Sequence, residues 1–264
     1  MNRLDQLFNS KKENILNIYC TAGYPNLEDT TSIIKALENS GVDLVELGMP
    51  YSDPLADGPT IQASGTEALA NGMSIVTLFE QLKDVRKEVK LPLVLMGYLN
   101  PVLQYGVEAF LKQCQQVGVD GLILPDLPLY EYEEAYQELF EQYNIHPIFL
   151  VTPLTPVERI HKIDSLSKGF VYAVSTASTT GKQSGFGQEQ LTYFQRLKDL
   201  KLNNPILVGF GVADHQTYST VCDYVNGAVV GSAFIRALKG SGNLEKTVED
   251  FVTMLKATTL LEHR

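Results

Sequence analysis

Eight short runs rich in Val, Ile and Leu recur along the chain, and the segments between them are long enough for helices. The runs are "ILNIYC" at 15–20, "VDLVELG" at 42–48, "LPLVLMGY" at 91–98 and "DGLILPD" at 120–126. They continue with "HPIFLV" at 146–151, "GFVYAVS" at 169–175, "NPILVGFG" at 204–211 and "NGAVVGS" at 226–232. Intervening segments such as "NLEDTTSIIKALENSG" and "YEYEEAYQELFEQYN" carry apolar residues at three and four spacing, the mark of amphipathic helices. Strand alternating with helix implies βαβ units and a parallel sheet covered on both faces, which agrees with strands that are continuously rather than alternately apolar. An open doubly wound sheet and a closed (β/α)8 barrel both satisfy that alternation. Eight units in 264 residues match the barrel, and no linker or change of composition divides the chain. The expectation is an α/β fold, a single (β/α)8 TIM barrel over 1–264, with an extra N-terminal helix from "RLDQLF" and a final helix from "NLEKTVEDFVTMLKAT". The closing "LEHR", native or tag-derived, is left out of that reading.

Composition excludes several classes of function. Lys and Arg total 21 against 31 Asp and Glu, a formal net charge of -10, and such a surface repels a phosphate backbone, so no nucleic acid is expected. Cys20, Cys114 and Cys222 are odd in number and far apart, which points to a reducing cytoplasm rather than disulfides or structural zinc. The polar N-terminus lacks an apolar signal core, and no apolar run approaches the length of a membrane span, so neither secretion nor a membrane location is expected.

In a barrel the chemistry sits where strands run into the loops that follow them. Those ends read "CTAGYP", "ELGMPYSDP", "MGYLNP", "LPDLP", "VTPLTP", "STASTTGK", "GFG" and "GSA". The glycines and neighbours of the last two, Gly209, Phe210 and Gly211, then Gly231 and Ser232 before a helix, suit a phosphate held by backbone N–H groups. The plain alternative is tight βα turns, but placement on two successive strands favours the phosphate. Gly181, in the glycine-bearing loop with Gly185 and Gly187, is a further candidate donor, and that loop reads as a lid.

Glu46 ends the second strand and points into the barrel if Val45 faces the helices. Unpaired there, its carboxyl rises in pKa toward the range useful for proton transfer; paired with backbone N–H groups, it is structural, the commoner case for a lone Glu. Asp57 lies eleven residues on, in a loop rich in Pro and Gly, where a solvated carboxylate is the plain alternative, and Asp53 in "SDP" suits a local turn. No strand end carries the Lys of a Schiff-base aldolase or the clustered His of a zinc site, and His146, His161 and His215 fall at a strand start or in helices. What remains is metal-free acid and base work by carboxylates, with Tyr98 and Tyr172 as polar aromatic helpers.

"ELGMPYSDPLADGPTIQ" closely resembles the signature of the tryptophan synthase alpha subunit family. "TAGYP", "YLNP", "GVDGLILPDLP", "IFLVTP", "VYAVS", "TTG", "GFGV" and "GSA" match it in order along almost the full chain. The resemblance implies a lyase that cleaves indole-3-glycerol phosphate to indole and glyceraldehyde 3-phosphate by retro-aldol chemistry, without a cofactor of its own. It implies Glu46 as catalytic acid and base, Asp57 as the acceptor of the indole N–H, and Tyr172 beside Glu46. By the same match Tyr19, Met96, Tyr98, Ile123, Pro125 and Leu150 line the indole pocket, and Gly181, Phe210, Gly211, Gly231 and Ser232 hold the phosphate. Thr180 belongs to the lid. The implied partner is a beta subunit carrying pyridoxal phosphate, in an alpha2beta2 heterotetramer, docked on the loop after the second strand and on regions near Asn100 and Pro128. The alternative is a stand-alone lyase that releases free indole. One departure stands out: many family members read "SRxGVTG" after the sixth strand, and this chain reads "STASTTG", with Thr176 for Arg and Ser178 for Gly.

Overall fold

All eight apolar runs form strands, most of them shorter than the run, although the first extends by one residue to Thr21 and the fifth keeps both its ends. The structure is a computed structural model and describes residues 1–175, 185–240 and 242–257. The strands are β1 (Ile15–Thr21), β2 (Leu44–Gly48), β3 (Leu93–Met96), β4 (Gly121–Ile123), β5 (in two halves, His146–Pro147 and Leu150–Val151), β6 (Val171–Val174), β7 (Ile206–Gly209) and β8 (Gly227–Val230). Every pairing is parallel. The sheet runs from the first half of β5 through β4, β3, β2, β1, β8, β7 and β6 to the second half of β5.

That order closes the barrel. The two edges of the sheet are halves of one six-residue run, so β5 bonds to β4 with its first half and to β6 with its second. The Ile148 N–H donates to Leu122 O at 3.0 Å and the Tyr172 N–H to Phe149 O at 3.0 Å, so the residues between the halves carry the ladder across the seam. Closure removes the free edge that would otherwise offer unpaired N–H and C=O groups to another chain.

The helix Arg3–Ser10 seals the N-terminal end of this barrel. Asn2 caps it, with its side-chain oxygen accepting the Leu4 N–H at 2.9 Å. Leu4 is fully buried and packs near Gly121, Gly169 and His146. His146, expected at this stability face, bonds Asp5 of the same helix through Nε2 at 2.8 Å. Asp120, buried at the start of β4, ties the seal together: it pairs with Arg3 at 2.9 Å and Arg86 at 2.7 Å and accepts the Leu93 N–H at 2.9 Å. Burial lowers the Arg86 pKa to about 10, against the opposing pull of Asp120. Removing one member of a buried pair strands the other charge, so Asp120→Ala is expected to cost about 3–5 kcal/mol in urea unfolding. A loss below about 1 kcal/mol would mean that the network behaves as a surface ion pair.

The expected terminal helix is Leu244–Lys256, capped by Asn243. It buries Val248, Phe251, Val252 and Leu255 and packs chiefly against the helix Asp29–Asn39 outside the barrel. No helix among the described residues is long and apolar enough to cross a membrane.

Candidate active site

At the opposite, C-terminal end of the barrel the strand register gathers the candidate residues. Tyr19 of β1 pairs with Glu46 of β2, and Gly48 pairs with Met96, which in turn pairs with Ile123. On the far side Leu150 pairs with Tyr172. Because residues in register share a face of a parallel sheet, these side chains line one mouth. Glu46 is in register with Tyr19 and bonds Asn17, two residues earlier on the same face of β1, so it points to that side of the sheet and Val45 to the other. Tyr19 and Tyr172 lean across that mouth over glycines of the neighbouring strands. A Cβ at Gly48 would stand 2.0 Å from the Tyr19 hydroxyl, and one at Gly209 would stand 2.1 Å from the Tyr172 hydroxyl. Gly209 thus has a packing reason of its own: it makes room for a phenol.

Glu46 is 2% exposed. Its Oε2 accepts one hydrogen bond, from Asn17 Nδ2 at 3.1 Å, and no backbone N–H donates to its carboxylate among the described residues. The structural alternative, a carboxylate satisfied by backbone, therefore does not describe it. Burial pushes its pKa up to about 8; the Asn17 bond pulls the other way and nearby Asp57 adds to the rise. Asn17 itself is fully buried, and its Oδ1 has no partner among the described residues. An unpartnered buried acceptor costs about 1–3 kcal/mol, so this amide is not in the strand for stability.

Asp57 is fixed from the next strand. The Tyr98 hydroxyl donates to Asp57 Oδ2 at 3.0 Å while accepting the Ala56 N–H at 2.9 Å. The loop after β2 is thereby clasped to the end of β3, and the Tyr51 ring packs on Tyr98 at 5.4 Å. The helix Pro59–Ala70 begins two residues later with Pro at its first turn, and Gln62 of that helix donates to Asp57 O at 2.7 Å. Partial burial raises the Asp57 pKa, opposed by the Tyr98 bond. The phenols of Tyr19 and Tyr172 are held neutral, first by burial and then by the two carboxylates beside them. Asp53 is exposed, lies at a bend and accepts from the adjacent Ser52 hydroxyl.

Pairing of β7 with β8 brings the two glycine loops side by side. Phe210 adopts φ 68° and Gly211 φ 81°. A bulky residue in the left-handed region costs about 1–3 kcal/mol and persists where the surroundings impose it, as they commonly do at ligand sites. The brace here is Ser175, fully buried, whose hydroxyl donates to Phe210 O at 2.6 Å and whose N–H donates to Gly209 O at 3.1 Å. Gly231 and Ser232 open the helix Ser232–Leu238, both half-buried. Pro125 is also half-buried, just beyond the end of β4. Thr180 and Gly181, with Thr176 and Ser178, lie outside the described residues.

Asn17 and Ser175 are the two residues that reading by motif overlooks. The signal for Asn17 was present: a lone amide inside "ILNIYC", on the same face as Tyr19. No group of three or more His, Cys, Asp or Glu among the described residues could hold a metal ion.

Comparison with known proteins is consistent along the whole chain. A family model described as "Tryptophan synthase alpha chain" matches residues 6–261. The tryptophan synthase alpha chain of Christiangramia forsetii is 56% identical over 259 residues, 98% of this chain and 100% of the relative. The crystal structure of the tryptophan synthase alpha chain from Legionella pneumophila superposes with a TM-score of 0.86 at 31% identity, over 97% of this chain and 96% of that one. A chain of the tryptophan synthase complex from Pyrococcus furiosus does so with a TM-score of 0.83 at 34% identity, over 93% and 98%.

Proposed function

The chain belongs to the tryptophan synthase alpha chain family, whose members cleave indole-3-glycerol phosphate in tryptophan biosynthesis, and we propose that here Glu46 and Asp57 carry the cleavage. Glu46 gives its proton to indole C3 and takes the proton of the glycerol hydroxyl. With C3 protonated, the ring accepts the electron pair of the breaking carbon–carbon bond, and indole leaves with glyceraldehyde 3-phosphate as the second product. One carboxyl that both gives and takes a proton needs a pKa near the working pH, and the observation that carries this reading is the burial of Glu46 with Asn17 as its one hydrogen-bond partner among the described residues, which raises its pKa. Asp57 accepts the indole N–H and balances the positive charge that grows on the ring. Tyr172 lies beside the reacting atoms.

Tyr19, Met96, Tyr98, Ile123, Pro125 and Leu150 form the indole pocket on this reading. The phosphate rests on the backbone of Phe210, Gly211, Gly231 and Ser232, joined by Gly181. Phe210 supports this through its strained backbone, held in place by Ser175. The subunit works in the cytoplasm with no cofactor of its own, and pyridoxal phosphate belongs to the beta subunit with which it forms an alpha2beta2 heterotetramer. Free thiols at Cys20, Cys114 and Cys222 fit a reducing compartment. Leu55 on the loop after β2, Leu103 on the helix Leu99–Tyr105 and Tyr130 on the helix Leu129–Glu131 are exposed at 88%, 45% and 66%, in the same segments as Asn100 and Pro128, and apolar groups so placed suit a docked partner.

Steady-state cleavage of indole-3-glycerol phosphate and of its dephosphorylated analogue, each with and without beta subunit, tests the reading. The analogue is expected to lose about 10²-fold or more in KM, since it forfeits a doubly charged group on several donors. Equal KM values would remove the phosphate site. Stimulation by beta subunit is expected, and a full rate without it would favour the stand-alone lyase.

A further inference from the structure

We propose that Asn17 is the positioning residue for Glu46, an amide that offers a partner to each of the two protonation states the carboxyl passes through in a catalytic cycle. This rests on the reading of Glu46 as the acid and base.

Asn17 lies on β1 one layer beneath Tyr19, in register with Leu44 on one side and Val229 on the other. Its neighbours in the strand, Leu16 and Ile18, are fully buried and apolar, and so is everything it pairs with. Among the described residues the only polar side chain it bonds is Glu46, through Nδ2 at 3.1 Å, and its Oδ1 finds no partner there. An apolar residue of the same volume would fill this site without stranding an acceptor. The amide is therefore explained by what it does for Glu46.

A carboxamide presents a donor and an acceptor on one planar group. Toward the carboxylate, Asn17 donates from Nδ2, as the structure shows. After Glu46 has taken a proton, its O–H needs an acceptor, and a half-turn of the amide about its terminal bond brings Oδ1 to the position Nδ2 held. The unpartnered Oδ1 is the acceptor held for that second state. A purely donating residue would hold only the carboxylate, and an apolar one would hold neither. Glu46 keeps a single orientation, aimed at the substrate, while its charge changes.

The titratable groups facing Glu46 are Asp57 from the loop after β2, Tyr19 from β1 and Tyr172 from β6, and Cys20, on the other face of β1, also feels its charge. Tyr19, Tyr172 and Cys20 are all raised by burial, so they stay neutral across the working range, and Asp57 is a further anion. Asn17 is thus the donor that opposes both burial and Asp57 at this carboxyl.

The test is the pH profile of indole-3-glycerol phosphate cleavage by the full chain with beta subunit, for the natural protein, Asn17→Leu, Asn17→Asp and Glu46→Gln. Asn17→Leu removes the bond that favours the charged form, so the limb that titrates Glu46 is expected to move up by roughly one to two pH units. Its kcat at the optimum is expected to fall about tenfold as the carboxyl loses its orientation, with KM little changed. Asn17→Asp places a second carboxyl against Glu46, and the pair shares a proton, which moves the limb further up. Thermal melts check that each variant is folded, and an unfolded Asn17→Asp leaves Asn17→Leu to decide. A folded Asn17→Leu with the natural limb and the natural kcat overturns the proposal. Glu46→Gln separates the two levels: if it keeps turnover, the acid and base reading itself fails, and if it is inactive while Asn17→Leu is normal, only the role of Asn17 does.

Discussion

Glu46→Gln is expected to lower kcat by about 10²–10⁴-fold while KM stays near its natural value, because the amide fills the same volume but can neither give nor take the proton. The same substitution should stabilise the fold. A carboxyl whose pKa is 4.5 in the unfolded chain and about 8 in the folded one binds its proton more tightly when folded. Stability from this group is complete below about pH 4.5 and falls as pH rises through the folded value, since the folded state must then bury a charge that the unfolded state exposes. At pH 7 the cost is about 3 kcal/mol. The difference in Tm between Glu46→Gln and the natural chain should accordingly be small near pH 5 and grow toward pH 8. A difference that does not change with pH would mean that Glu46 titrates normally, and it would remove the basis for its role as a proton carrier. Loss of activity together with gain of stability is the signature that separates a working buried carboxyl from a structural one, whose removal costs stability at every pH above its pKa.

The split between what the sequence reveals and what it conceals follows the range of the interactions. Strand and helix periodicity is local, and all eight apolar runs became strands with their order intact. Closure through β5 was implicit in the count of eight, but the division of that strand into halves, each serving a different neighbour, depends on register across the barrel. Glu46 and Asp57 were visible because they sit in one short motif. Tyr98 was read as a wall of the indole pocket, and its bond to Asp57 spans 41 positions. The Asn17 bond to Glu46 spans 29, and the Ser175 brace on Phe210 spans 35. No spacing rule within a strand or helix reaches such pairs. They are set by which strand lies beside which, and each links a candidate residue to its support. The motif thus marks the groups that react, and the folded barrel shows what holds them.

Asp57 provides the sharpest use of that distinction, because its hydrogen bond and its charge can be separated. Asp57→Ala removes both and is expected to lower kcat/KM by about 10²–10³-fold, the size of effect seen when one preorganised polar group facing a developing charge is lost. Asp57→Asn keeps the size and an oxygen able to accept the indole N–H, and its NH2, standing where Oδ2 accepted the Tyr98 hydroxyl, can hold the loop only by donating to that hydroxyl instead. What it lacks is the negative charge that balances protonated indole, and that charge matters only once the ring has become positive. Substrate affinity should therefore survive in Asp57→Asn while kcat falls nearly as far as in Asp57→Ala, measured by indole-3-glycerol phosphate turnover and by equilibrium binding of an unreactive analogue. Were Asp57→Asn to turn over at the natural rate, the hydrogen bond alone would suffice and the charge would be incidental. Tyr98→Phe adds the control: it leaves the charge but removes both the donor to Asp57 and the acceptor for the Ala56 N–H. Its loss should exceed the value of one hydrogen bond, because the loop that carries Asp57 is released along with the carboxylate.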